Sequence, residues 1–348
     1  MNQLESQLLY PFGDQLPERG SVVEVAPDVF WLRMPLPFAL DHINLWLLRD
    51  GDGWTAIDTG VDRPEVRAAW EQVLADVVLA GGSSLKRVLV THCHPDHVGL
   101  AHWLCARFQV PLVMTTGEYA FARMMAAALP GVDGPSAVPH FERHGLYDPV
   151  LLEQMRGRRN YYPSLVPAVP EAYTRLQDGQ EIRIGAHGWR VITGFGHSPE
   201  HAALYCVDLN LLVSGDMVLP RISTNVSVFA VEPEADPVRW YLQSLDRFAA
   251  LPDDVLVLPA HGRPFRGLHT RIAQLRAHHA ARLEEVLAAC STPRTAAEIV
   301  PVMFRRPLDS HQLSFALGEA LAHLNCLFFD AKLQRMTGPD GVVRFAAS

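Results

Sequence analysis

Short apolar runs broken by turn residues fill the start of the chain. Residues 22–25, 29–34, 43–48 and 54–57 are of strand length and rich in Val, Ile, Leu and Trp, and Asp58-Thr59-Gly60 closes the last of them. From residue 64 the period lengthens. Val66, Ala69, Trp70, Val73 and Leu74 recur near one face, Pro64 suits a first turn and Gly81-Gly82 stops the segment, so a helix is expected over 64–79. Residues 87–90 then read as a strand running into His92, 98–108 as a helix and 110–114 as another strand.

Residues 118–171 interrupt this alternation. They hold a Met- and Ala-rich helical stretch at 119–129, a Gly/Pro loop and two polar helical pieces, expected to fold as an insertion over the main body. Strands return from Ile182, at 189–193, 202–207 and 211–214. A helix at 237–250 and a strand at 255–258 then lead to His261. Beyond 268 the pattern turns helical: a long amphipathic helix at 271–289, a second opened by the capping box Thr295-x-x-Glu298, a third at 313–333, and a short strand at 342–345. A boundary near 268 divides an expected main domain, 1–268, from a small C-terminal one, 269–348.

Composition narrows the function classes. The 30 Lys+Arg against 38 Asp+Glu give a net charge of −8, which excludes a strongly basic overall footprint for nucleic acid. No stretch reaches the roughly 18 uncharged apolar residues that span a bilayer. Residues 1–20 lack the basic start and apolar run of a secretion signal. The five cysteines are odd in number and scattered, which argues against a disulfide framework and for a reducing, cytoplasmic setting.

Histidine carries the chemistry. In Thr91-His92-Cys93-His94-Pro95-Asp96-His97, four potential metal ligands follow directly on an apolar strand. His92 and His94, two apart, can point the same way, while Asp96 and His97 can turn to a neighbouring site; imidazole and carboxylate suit zinc, iron or manganese. Further along, His197 follows the strand at 189–193, Asp216 ends the strand at 211–214, and His261 follows the strand at 255–258. Glycines beside each permit sharp turns and close approach. If those strands share one sheet edge, the groups converge. Cys93, between ligands, is expected to point away. His278, His279, His140, His144, His269 and His311 lack a strand-end context and are expected at surfaces or interfaces, while His42 could face a metal cleft.

Taken in order, these motifs resemble those of the metallo-β-lactamase superfamily, over roughly residues 20–268. The resemblance implies an αββα sandwich of two mixed sheets flanked by helices. It implies one metal site of His92, His94 and His197 and a second of Asp96, His97 and His261, bridged by Asp216 and a water. Asp58 and His201 would orient ligands rather than bind metal. The third motif, with Glu200 where glyoxalase II-like and lactonase-like members often have Gly, is similar to the β-lactamase-like protein 2 branch, which also carries a C-terminal winged-helix domain. That branch includes endoribonuclease activity. Asp216 stands where the main zinc class of β-lactamases places a cysteine, which disfavours antibiotic cleavage; His94 in place of Glu disfavours the oxygen-reducing diiron branch.

The implied activity is hydrolysis with two divalent metal ions, zinc first, iron or manganese next. A water of lowered pKa would attack a thioester, ester or lactone carbonyl, with Asp96 and Asp216 as the catalytic carboxylates. The alternative is a metal-dependent ribonuclease or phosphodiesterase, which the acidic balance weighs against. The insertion should decide the substrate: it holds Phe141, Met124, Met125, Tyr161, Tyr162 and the basic run Arg156-Gly157-Arg158-Arg159. Tyr161, Tyr162, Arg158 and Arg159 are the candidate substrate contacts, the arginines for an anionic group. The competing reading is a solvated helical face over packed aromatics. The expected partner is a small-molecule substrate, with no membrane; a homodimer is compatible with the sequence.

Overall fold

The computed structural model describes residues 4–38, 40–157 and 161–348, the side chains of Ser310 and His311 apart. The first half builds β1 (Val23–Ala26), β2 (Val29–Pro35), β3 (His42–Asp50), β4 (Gly53–Ile57), α1 (Pro64–Val73), β5 (Leu85–Leu89), α2 (Pro95–Val98), α3 (Ala101–Phe108), β6 (Leu112–Thr115), α4 (Thr116–Ala126), α5 (Gly134–Arg143), α6 (Pro149–Arg156) and β7 (Tyr173–Leu176). The second half adds β8 (Glu181–Ile184), β9 (His187–Gly194), β10 (His201–Cys206), β11 (Leu211–Gly215), α7 (Pro237–Ala249), β12 (Leu256–Pro259), α8 (Leu268–Ala289), α9 (Ala296–Met303), α10 (Ser310–Phe329), β13 (Leu333–Thr337) and β14 (Val343–Ala347).

Strands β1 to β7 lie in chain order in one sheet, antiparallel as far as β4 and parallel beyond it. The second sheet runs β12-β11-β10-β9-β8, with β11 and β12 parallel. The period-two alternation of strands assigns each residue to one of two faces. Trp31, Trp46, Leu48 and Ile57 of the first sheet meet Trp189, Val191, Leu204 and Leu258 of the second in a common core. Leu32, Ile43, Leu45 and Leu47 point the other way, under Val66 and Trp70 of α1 and Leu104 of α3. On the far side, Ala203, Tyr205, Leu212 and Val257 pack under Tyr241, Leu245 and Phe248 of α7 and Leu275 of α8. Strands buried on both faces explain the near-continuous apolar runs. The result is an α/β sandwich of two mixed sheets flanked by helices, as expected.

Several boundaries differ from the sequence reading. The helix expected at 64–79 keeps α-geometry only to Val73, then widens into a π-helical turn, Leu74–Val78. The helix expected at 98–108 starts earlier and breaks at Leu100, whose φ and ψ of −99° and 7° separate α2 from α3. The helix expected to reach Leu333 ends at Phe329; Ala331 takes a left-handed φ of 57° and the chain turns into β13. Strands β7 and β13 escaped the reading because their outward residues leave little apolar alternation to detect. The capping box at Thr295 and Glu298 forms as expected.

Candidate metal centre

The site lies where the parallel strands of both sheets end, the usual place for ligands in open α/β sheets. Asp58 follows β4, His92 follows β5, Asp216 follows β11 and His261 follows β12. His197 lies in the turn between β9 and β10, and His201 opens β10. Loops leaving neighbouring strand ends converge without long excursions, so residues 169 positions apart in sequence (261 − 92) meet in one cleft.

They form two groups. Ligand atoms of His92, His94, His197 and Asp216 make the first, and those of Asp96, His97 and His261 the second, each within 4.8 Å of one another. In the first, His92 Nε2 lies 3.0 Å from His94 Nδ1 and 3.2 Å from His197 Nε2. In the second, His261 Nε2 is 3.3 Å from Asp96 Oδ2, and His97 Nε2 is 3.7 Å from it. Asp216 faces both: Oδ2 is 3.3 Å from His197 Nε2, and Oδ1 is 3.5 Å from His261 Nε2 and 3.6 Å from His97 Nε2.

These groups fit metal ions. A tetrahedral zinc with bonds of about 2.0–2.1 Å sets its ligand atoms about 3.3 Å apart, the separation found here. His97 Nε2 and Asp216 Oδ1 are buried with no hydrogen-bond partner. Such orphaned atoms are costly unless a partner comes from outside the chain.

Neighbours aim the ligand nitrogens by holding the opposite ring atom. His197 Nδ1 donates to Asn225 O at 2.8 Å, and His261 Nδ1 to His42 O at 2.8 Å. His97 Nδ1 is 2.8 Å from Asp58 Oδ2. In each ring Nε2 is left to face the cleft, the arrangement that fixes tautomer and orientation in metal sites. Asp58, at a left-handed φ of 61°, also accepts from Thr91 N at 2.8 Å and so ties β4 to the ligand loop. His201 lies under Asp216: its Nε2 accepts from Asp216 N at 3.2 Å. A Cβ at Gly215 would stand 2.3 Å from that nitrogen, so glycine alone allows the approach.

Electrostatics follow from burial. His92 and His94 are held neutral, His94 down to about 3, first by burial and then by the neighbouring imidazoles. Burial opposes charge on His97 too, but Asp58, Asp96 and Asp216 outweigh it and lift it to about 10. Cys93 is buried, and burial followed by the Glu118 charge pushes its thiol well up, which leaves no thiolate nucleophile.

Supporting residues outside the sequence reading include Glu118, Asn44 and Asn225. Glu118 is buried and accepts from Cys93 N at 2.8 Å, Ser198 Oγ at 2.6 Å and Glu200 N at 2.6 Å, clamping the loops of His92 and His197 together. It too is a carboxylate just past a strand, β6, so the strand-end signal applied to it. Asn44 donates from Nδ2 to Pro259 O at 2.8 Å and Gly262 O at 3.0 Å, pinning the His261 loop to β3. His42 sits against His261, ring centroids 6.2 Å apart, and accepts from Gly262 N.

Of the proposed substrate contacts, Tyr162 is buried and its hydroxyl donates to Cys93 O, and Tyr161 is half-buried beside it. Arg158 and Arg159 lie outside the described residues, as does the side chain of His311. Two histidines expected at surfaces or interfaces are buried at interfaces between elements. His279 stacks on His323, centroids 5.5 Å apart, because α8 presents it to α10; His144 is buried where α5 meets α9. Beside His94 and His197 opens a cleft of about 620 Å³ whose walls include Phe121, Phe195, Phe229 and Trp240.

Residues 39–261, which hold the whole ligand set, match the model of the metallo-beta-lactamase superfamily. The chain belongs to that superfamily. It is a metal-dependent hydrolase by family, with a His/Asp cluster suited to metal ions. Residues 283–348 of this metallo-beta-lactamase superfamily member match the "Metallo-beta-lactamase-like, C-terminal domain" model. A crystal structure of a beta-lactamase domain protein from Burkholderia ambifaria is 57% identical, with a TM-score of 0.94 over 100% of both chains. A probable metallo-hydrolase, YqjP, of Bacillus subtilis is 26% identical over 86% of this chain and 92% of its own. A hydroxyacylglutathione hydrolase of Albidiferax ferrireducens is 26% identical over 66% of this chain and 65% of its own.

Proposed function

We propose that the protein is a dinuclear metal-dependent hydrolase of thioesters, esters or lactones. The observation that carries this is Asp216, whose two carboxylate oxygens face the two ligand groups at 3.3 and 3.5 Å. A pair of divalent cations, zinc by donor chemistry, would supply a water of lowered pKa and polarise the scissile carbonyl. His92, His94, His197 and Asp216 would hold one cation, and Asp96, His97 and His261 the other, with Asp216 facing both. Asp58 and His201 keep His97 and Asp216 in place. In the reaction a C–O bond forms to water and the C–S or C–O bond to the leaving group breaks. One water proton passes, by way of Asp216, to the departing thiolate or alkoxide, which leaves as thiol or alcohol, and the other is released to solvent with the carboxylate product.

The cleft favours a carbonyl substrate over a phosphodiester. Among the described residues its one cationic side chain is Arg247, which is committed to the Asp178 carboxylate at 2.5 and 2.6 Å and to Thr193 O at 2.7 Å. A nucleic-acid backbone needs free cations. The named activity of the hydroxyacylglutathione relative, cleavage of an acyl–sulfur bond, points the same way. The β13–β14 hairpin beside α9 and α10 supports the winged-helix reading of the C-terminal unit. Five free, buried cysteines support a reducing, cytoplasmic setting, and no described helix is long and apolar enough to cross a membrane.

The test is metal analysis of the purified protein followed by assays on thioester, lactone, phosphodiester and RNA panels. About two transition-metal ions per chain and thioester or lactone turnover abolished by Asp216→Ala are expected. RNA cleavage lost in the same variant, without carbonyl turnover, would overturn the proposal.

A further inference from the structure

The 620 Å³ cleft does not end at its apolar wall. A second cavity of about 190 Å³ shares Phe121, Ser227, Phe229 and Val231 with it. The rings of Phe121 and Phe229 stand at this junction, centroids 6.4 Å apart. Beyond them the inner cavity is walled by Met125 of α4, Phe141 of α5, Met155 of α6, Tyr161 and Phe315 of α10. Its one charged lining residue among those described, Asp133, is already engaged: the carboxylate accepts from Ser136 N at 2.9 Å and caps α5. A cavity of about 150 Å³ suffices for a benzene-sized apolar guest, so the inner one has room for several methylenes or a ring.

The loop between the two cavities is held by the C-terminal unit. Val228 N donates to Gly318 O of α10 at 3.1 Å. A Cβ at Gly318 would stand 2.9 Å from Ser227 Cβ, so the loop lies directly on α10. Helix α10 therefore sets one wall of the inner cavity and the position of Phe229 at its mouth.

We propose that the two cavities form one acyl-binding groove, with the scissile carbonyl at His94 and His197 and an apolar acyl chain running between Phe121 and Phe229 into the pocket flanked by Phe141, Met155 and Phe315. The substrate class is then a thioester or ester of a medium-length apolar acid. The chemistry rests on the hydrolase reading above; the groove rests on the lining alone. Helices α4, α5, α6 and α10 together set the chain length.

The probes are N-acetylcysteamine thioesters from acetyl to dodecanoyl, and cis-parinaric acid, a fluorescent fatty acid that reports binding without turnover. With the full chain as purified, kcat/KM should rise about fourfold per methylene and level off once the inner pocket is filled. Ala137→Trp, which fills that pocket, should move the plateau to shorter chains and weaken parinaric acid binding at least tenfold. Phe315→Ala, which enlarges it, should move the plateau to longer chains, and it serves if the tryptophan variant does not fold. A flat chain-length profile, or parinaric acid binding that neither variant changes, overturns the groove. Parinaric acid binding that the variants shift, without turnover of any thioester, ester or lactone, supports the groove and removes the carbonyl-hydrolase reading instead.

Discussion

At the scale of single residues, the candidate centre depends on groups that touch no substrate. Asp58 holds His97 Nδ1 at 2.8 Å and Thr91 N at 2.8 Å, so it sets both a ring and the strand end beside it. Asp58→Ala should weaken metal affinity about 10–100-fold, measured by competition with a fluorescent chelator, while the folded secondary structure survives. Gly215 is a sharper case. It has a φ of 51°, and its absent Cβ would meet His201 at 2.3 Å. Gly215→Ala should cost more than about 1 kcal/mol in chemical denaturation and lower the metal content together with it. An unchanged denaturation midpoint would remove the steric argument. The residues of the two groups were legible beforehand as candidate ligands, because imidazole and carboxylate chemistry is a property of the residue and the strand-end context is local. Asn225 was not, because its partner His197 lies on another loop.

At the scale of elements, hydrogen bonds at the site register the two sheets to each other. Asn44 on β3 makes three: its Nδ2 reaches the carbonyl of Pro259 at the end of β12 and that of Gly262 beyond it, and its backbone N donates to Ala260 O at 2.7 Å. Asn44→Ala leaves Pro259 O and Gly262 O without that donor in a buried place. It should cost about 1–3 kcal/mol in urea denaturation, with the His261 loop affected first. Helix α10 carries a pH-dependent element. Glu319, half-buried on it, is pushed up to about 7 from its ordinary 4.5 by burial, against the pull of the Asn225 amide and of Arg282. The folded chain therefore holds this proton more tightly than the unfolded one. Its contribution to stability is full below about pH 4.5 and is lost as the pH rises through about 7. Relative to Glu319→Gln, the parent protein should lose stability between pH 5 and pH 8, and parallel curves would refute this.

At the scale of the molecule, the C-terminal unit is continuous with the rest. One apolar cluster runs from Val138 and Phe141 of α5 through Tyr241 and Phe248 of α7 to Leu317, Leu321 and Phe345. With no separate core, the unit beyond residue 289 should not unfold by itself. Calorimetry of the full chain should give a single transition, and two well-separated transitions would contradict the shared core. The same continuity lets α10 reach the cleft and explains why a boundary read from composition near residue 268 says little about packing there.

Strand periods, the capping box at Thr295 and the identity and order of the candidate ligands were set by the sequence alone. Backbone geometry makes side-chain period follow secondary structure, and ligand chemistry belongs to the residue. Tertiary structure alone decided which loops meet, how Asp216 splits its oxygens between two groups, and what walls the cleft. It also decided that His279 and His144 are interior and that β7 and β13 exist. Each of these depends on contacts between segments distant in the chain, where burial and hydrogen-bond partners come from the fold and leave no local period behind.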